Sequence, residues 1–161
     1  MPSHEHLLVL VDASEASERA VAYVGRMLKP IASARVRLFH VEEPIGPEYL
    51  TVHGGAGSKP ATGAAARLDA EAKRRSSPVF EKMRGILKKE GFDSTRVDES
   101  WYVAGREDDL VTETVRLARE QGMGTVVVGR TALPWHRELF HHHLCDGIVK
   151  RGSGLAVWVV E

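Results

Sequence analysis

The chain has 161 residues, with 22 Lys and Arg against 22 Asp and Glu and 43% apolar residues. That length suits a single domain with a sizeable core, and the balanced charge supplies no field to draw in nucleic acid or an anionic membrane. The single cysteine, Cys145, excludes an internal disulfide and fits a reducing compartment. Its expected role is a small buried apolar residue. The start, MPSHEHLLVLVD, lacks the basic region and apolar length of a signal peptide, and no apolar run approaches the ~20 residues of a membrane span. A soluble, cytoplasmic protein is expected.

His6–Asp12 (HLLVLVD) is a continuous apolar run ending in a carboxylate, as in a strand buried on both faces of a parallel sheet. Ser14 is placed to cap a helix, with Glu15 and Glu18 at its positive end. Ala20, Val21, Val24 and Leu28 then repeat at helical spacing until Pro30. Arg35–Glu42 (RVRLFHVE) reads as strand two, with Val36, Leu38 and His40 on one face and Phe39 and Val41 on the other. Pro44 to Gly63, rich in Pro and Gly, reads as a long loop, a lid or a disordered stretch. Ala64 to Glu90 is a charged helical region. Ser77–Pro78 either kinks it or breaks it so that Pro78 opens a second helix. Gly91 suits a C-cap.

Arg96–Val103 (RVDESWYV) reads as strand three, polar enough to suggest a place near the sheet edge. Helix three follows Gly105, with Asp108 and Asp109 in its first turn and Leu110, Val111, Thr114, Val115 and Ala118 as its stripe, closing at Gly122. Thr125–Gly129 is strand four. A loop and a short helix lead to strand five, Leu155–Val160. The order predicts an α/β fold: one domain over residues 1–161, an open doubly wound parallel five-stranded sheet of Rossmann-like type with helices on both faces.

With these elements in place the chain resembles the universal stress protein family. LLVLVDASEASERAVAYV is similar to that family's first strand, its Asp and the Ser-rich start of helix one. VAGREDDLVTETVRLAREQGMGTVVVGR is similar to its third helix and fourth strand, and LAVWVV to its last strand. The resemblance implies an adenine nucleotide α-hydrolase-like fold and, as in many members, an ATP crevice outside the carboxyl ends of the strands. Asp12 would face the ribose or adenine and the Val41 backbone the base. The family's phosphate loop runs Gly, two residues, Gly, nine residues, Gly, then Ser or Thr. On this chain those positions are Gly129, Ala132, His142 and His143, so three of the four depart from the pattern.

Phosphate-loop glycines supply positive φ and let backbone N–H groups close on the oxygens. A left-handed Ala132 would cost roughly 1–2 kcal/mol, and the His142 ring would stand where a phosphate approaches the main chain. Trp135, Phe140 and His141 crowd the same loop. The helix beginning near His143 still offers free N–H groups to an anion. ATP or AMP is therefore the cofactor the crevice would take, with binding expected to be weak or absent.

Other motifs have plainer readings. Asp12 either contacts a ligand or caps helix one. His136, His141, His142 and His143 suggest a transition metal, with Cys145 four residues after His141, but adjacent helical residues diverge and paired ligand spacing is absent, so no metal is expected. GGAGSKP, Gly54 to Pro60, lacks the Gly-Lys-Ser/Thr end of a phosphate loop and does not follow a strand. It is read as loop composition. The basic residues of helix two alternate with Glu71, Glu81 and Glu90 and lack stacking aromatics, as on a solvated face. No nucleophile elbow is visible, and nothing pairs Cys145 with a base.

Trp158 lies in an all-apolar final strand. The resemblance implies a homodimer through this strand, an isologous contact of Val157, Trp158 and Val159. The alternative is core packing under helix one or helix four. The expected function is a cytoplasmic, homodimeric stress-response binding module working through protein partners. The alternative is an ATP or AMP sensor with slow or no hydrolysis, and a hydrolase of the same fold ranks last, because no catalytic base or metal site is visible.

Overall fold

A computed structural model describes residues 2–42, 52–103, 110–130 and 144–161. Its elements in chain order are β1 (Ser3–Leu10), α1 (Glu15–Leu28), β2 (Arg35–Glu42), β3 (Val52–Gly55), α2 (Ala64–Lys89), β4 (Val97–Val103), α3 (Leu110–Glu120), β5 (Met123–Gly129), α4 (residues 144–151) and β6 (Ala156–Val160). The strands form one sheet in the order β3-β4-β2-β1-β5-β6. Every pairing is parallel except β3 with β4. None of the described helices is long and apolar enough to cross a membrane.

The alternation in β2 divides the core as the sequence pattern requires. Val36 and Leu38 join the cluster under α1 and α2, while Phe39 and Val41 face the cluster that holds Val115 and Ala118 of α3 and Leu144 and Ile148 of α4. The middle strands β1 and β5 are apolar on both sides because helices cover both faces; Leu7, Leu8, Val126 and Val127 are fully buried. Ser14 caps α1, its hydroxyl accepting from the Ser17 N–H at 3.2 Å. Strand one begins earlier than the apolar run suggests, at Ser3, and stops at Leu10, so Asp12 stands just beyond it.

Three expectations are corrected or resolved here. The Pro44–Gly63 stretch is not structureless throughout: Val52–Gly55 adds an antiparallel sixth strand. Gly54 is needed there because the Trp101 indole N–H reaches Asp69 Oδ1 at 2.8 Å through the space a side chain would fill. Gly55 turns at φ 92° with its Cα against the Glu99 carbonyl. Gly54 to Pro60 is thus the end of an edge strand and its turn, with Ala56 N–H bonded to Glu99 O at 2.8 Å.

Strand β4 lies one strand in from the edge, near the margin as expected, with β3 outside it. Its polar residues are partnered: Asp98 with the buried Arg37 at 3.5 Å and Glu99 with Arg84. Helix α2 is continuous through Pro78, which faces solvent, and Ser76 and Ser77 return their hydroxyls to the Ala72 and Lys73 carbonyls at 2.7 and 2.8 Å. The helix ends as expected at Gly91, at φ 86°: the Gly91 N–H reaches Lys88 O and the Phe92 N–H reaches Leu87 O, with Phe92 buried. That is a Schellman closure.

Candidate functional site

The chain leaves β1 to build β2 and β4 on one side, then crosses back to place β5 on the other, so the topological switch point lies between β1 and β5. In open sheets of this kind ligands bind at that point, outside the carboxyl ends of the strands. The pairings Leu10 with Phe39 and Leu10 with Val128 bring Asp12, Val41 and Gly129 to the same end of three adjacent strands. The structure therefore brings three of the six expected site residues together. Ala132, His142 and His143 lie outside the described residues, as do His136, His141, Trp135, Phe140, Gly105, Asp108 and Asp109.

Asp12 is held by the first turn of α1. Its Oδ1 accepts from the Ser14 N–H and from the Ser17 hydroxyl, both at 2.8 Å, and the Asp12 N–H donates to Ser17 Oγ at 3.0 Å. A carboxylate here also suits the positive end of the helix. The capping role is thus present, and it fixes the carboxylate at the crevice. Ser17 is a residue that the sequence pattern did not single out, because the reciprocal capping signature calls for Glu or Gln three places after the capping serine.

Gly129 has a structural reason of its own. A β-carbon there would run into the Ala16 carbonyl in the first turn of α1. The close approach of helix and strand demands glycine whether or not a phosphate binds.

A second group that was passed over sits directly behind this rim. His40 and Glu42 are side by side on β2, their side chains only 12% and 8% exposed. His40 Nδ1 is 2.7 Å from the Val11 carbonyl oxygen, and Nε2 is 3.2 Å from Glu42 Oε1. Helix α2 closes over them with the Ser76 hydroxyl at 3.2 Å from Glu42 Oε1 and Arg75 Nε at 3.5 Å from Oε2. The Phe80 ring stands edge-on to His40 at 6.2 Å. The sequence signal was a His-x-Glu pair on the apolar face of a buried strand.

Trp158 packs against the core beneath α1 with Tyr23 edge-on at 6.0 Å, while Val157 faces the opposite core. Val159 is 44% exposed on the last strand of the sheet. Cys145 is partly buried against the α3–α4 core, and burial pushes its thiol pKa up, away from the reactive thiolate. A cleft of about 480 Å³ opens at the opposite edge of the sheet, between β3 and α3, lined by His53, Lys59, Arg116 and Glu120 among others. Its guanidinium, Arg116, is taken up by Glu113 and Glu120, and the bond to Glu113 raises its pKa. That cleft is three strands away from the switch point.

Comparison with known proteins agrees with this architecture. A structure from Burkholderia pseudomallei, a protein from the universal stress protein family, superimposes with a TM-score of 0.61 at 16% identity, covering 98% of this chain and 96% of that one. A universal stress protein in complex with cAMP gives 0.62 at 18% identity, over 97% and 95%. The universal stress protein from Archaeoglobus fulgidus in complex with dAMP gives 0.58 at 15% identity, over 96% of each chain. At these identities the likeness establishes the fold. A search of the curated proteins found no match. The profile of the universal stress protein family matches residues 4–160. The chain belongs to the universal stress protein family.

Proposed function

We propose that the protein is a homodimeric regulatory module that recognises the adenosine part of an adenine nucleotide weakly and has lost the grip on a triphosphate. The observation that carries this reading is the split between the two halves of the crevice. Asp12 and the Val41 main chain stand at the carboxyl ends of adjacent strands, where the family resemblance puts ribose and base recognition. The phosphate half carries Ala132, His142 and His143 in place of two glycines and a hydroxyl residue. Relatives solved with cAMP and dAMP support a ligand with one phosphate. The remaining glycine, Gly129, is accounted for by helix packing and adds no weight to the ATP reading.

Restoring the loop tests the proposal. The triple substitution Ala132→Gly, His142→Gly and His143→Ser is expected to tighten ATP binding at least about tenfold, roughly 1.4 kcal/mol, and to leave AMP within about twofold, roughly 0.4 kcal/mol. Equal ATP affinity before and after would show that these three positions do not limit the triphosphate. The dimer is proposed through β6, whose apolar outer edge carries Val159 and needs cover. A cytoplasmic setting and protein partners complete the reading.

A further inference from the structure

We propose that the buried His40–Glu42 pair positions the crevice rim for adenosine recognition through one shared proton. The inference rests on the nucleotide reading above, but the state of the pair has its own readout.

The geometry imposes a proton count. His40 Nδ1 faces a carbonyl oxygen and Nε2 faces a carboxylate oxygen. A carbonyl cannot donate, and an ionised carboxylate only accepts. Both contacts are satisfied only if the ring carries two N–H groups, or if Glu42 carries a proton that Nε2 accepts. Either way the pair holds one proton more than a neutral imidazole beside a carboxylate. Without it, a nitrogen lone pair would face either the carboxylate or the Val11 carbonyl oxygen in a site almost closed to water, which is costly.

The contacts link this proton to the rim. The peptide between Val11 and Asp12 is held from both ends, its carbonyl by His40 and its N–H by the Ser17 hydroxyl at 3.0 Å. Val41, the residue that would read the base, lies between His40 and Glu42 on β2. Without that proton the ring keeps only one of its two contacts, to the Val11 carbonyl or to Glu42, and the ends of β1 and β2 lose a tie between them.

Among the described residues, the surroundings are as follows. From α2 come Arg75, Ser76 and the Phe80 ring, while Glu71 one turn before Arg75 is bonded to Arg74. From β4 comes Trp101, paired opposite His40. From β1 comes the Val11 carbonyl, followed by Asp12, whose Oδ1 is turned to the first turn of α1.

The test combines nitrogen NMR of the ligand-free, histidine-labelled protein with calorimetric titration of AMP into the wild type and two variants at neutral pH. For the wild type the spectra should show either two protonated ring nitrogens or an Nε2 accepting from a carboxylic acid. Glu42→Gln, whose amide can donate or accept, should keep AMP affinity within about twofold. His40→Asn, which can keep only the Val11 bond, should weaken AMP about tenfold. A singly protonated ring beside an ionised Glu42 at neutral pH would overturn the proposal, as would wild-type AMP affinity in His40→Asn. If the wild type takes up no AMP, the nucleotide reading and the rim's role fall together, and the spectra alone still decide whether the pair holds its proton.

Discussion

Asp12 and Gly129 show how one residue serves packing and recognition at once. Asp12 is drawn into the first turn of α1 by Ser14 and Ser17, which fixes its carboxylate at the carboxyl end of β1 beside the switch point. Gly129 admits the same turn against β5. Gly129→Ala should therefore destabilise the fold by about 1–3 kcal/mol, the cost of forcing atoms into a packed site, in chemical denaturation without any ligand. An unchanged midpoint would mean that the glycine is there for another reason. The sequence brought Asp12, Val41 and Gly129 to one end of the sheet because each stands at or near the end of an apolar strand, while their role toward a ligand came only from the family resemblance. It missed Ser17, His40 and Glu42 because their meaning lies in contacts between elements: a serine seen alone is a surface residue, and a histidine between Leu38 and Glu42 reads only as a strand position.

At the scale of elements, periodicity was legible wherever a segment was long and covered on a defined side. α1, β2 and β5 all follow from their apolar spacing. β3 did not, because a four-residue strand holding two glycines has no alternation to detect, and its glycines answer to Trp101 and Glu99 on another strand. β4 lies one strand in from the sheet margin, as its polar Asp98 and Glu99 suggested, and both are partnered, with Arg37 and Arg84. α2 is a related case: the local rule at Pro78 predicts a kink or break, yet the helix stays continuous because Phe80, Met83 and Leu87 after the proline share one core with Leu68 and Ala72 before it. Tertiary burial outweighs a local penalty of roughly 3 kcal/mol. Pro78→Ala is expected to recover part of that penalty, about 1–3 kcal/mol, seen as a higher thermal midpoint. A lower midpoint would show that the proline fits the helix better than its missing N–H implies.

For the whole molecule, the sheet order places an apolar strand at one margin and a short, glycine-rich strand at the other. Such margins matter because an uncovered apolar edge invites pairing. Val159 is exposed on β6, and Tyr23 and Met27 are exposed on the neighbouring α1, where Tyr23 meets Trp158. If the proposed dimer forms through β6, Val159→Lys should convert it to a monomer in sedimentation equilibrium, because the charge would meet its own copy across the proposed isologous contact. A wild-type monomer at every concentration tested would remove the dimer from the account.

In the proposed function this molecule keeps the adenosine half of the crevice that the family resemblance implies and lacks the triphosphate half. Calorimetric titration of AMP and ATP into the same preparation of the wild-type protein tests it most directly. The account predicts weak binding of both, with ATP no tighter than AMP, because the second and third phosphates find no glycine loop. ATP binding tenfold or more tighter than AMP, about 1.4 kcal/mol, would contradict it, and so would the absence of heat with either ligand.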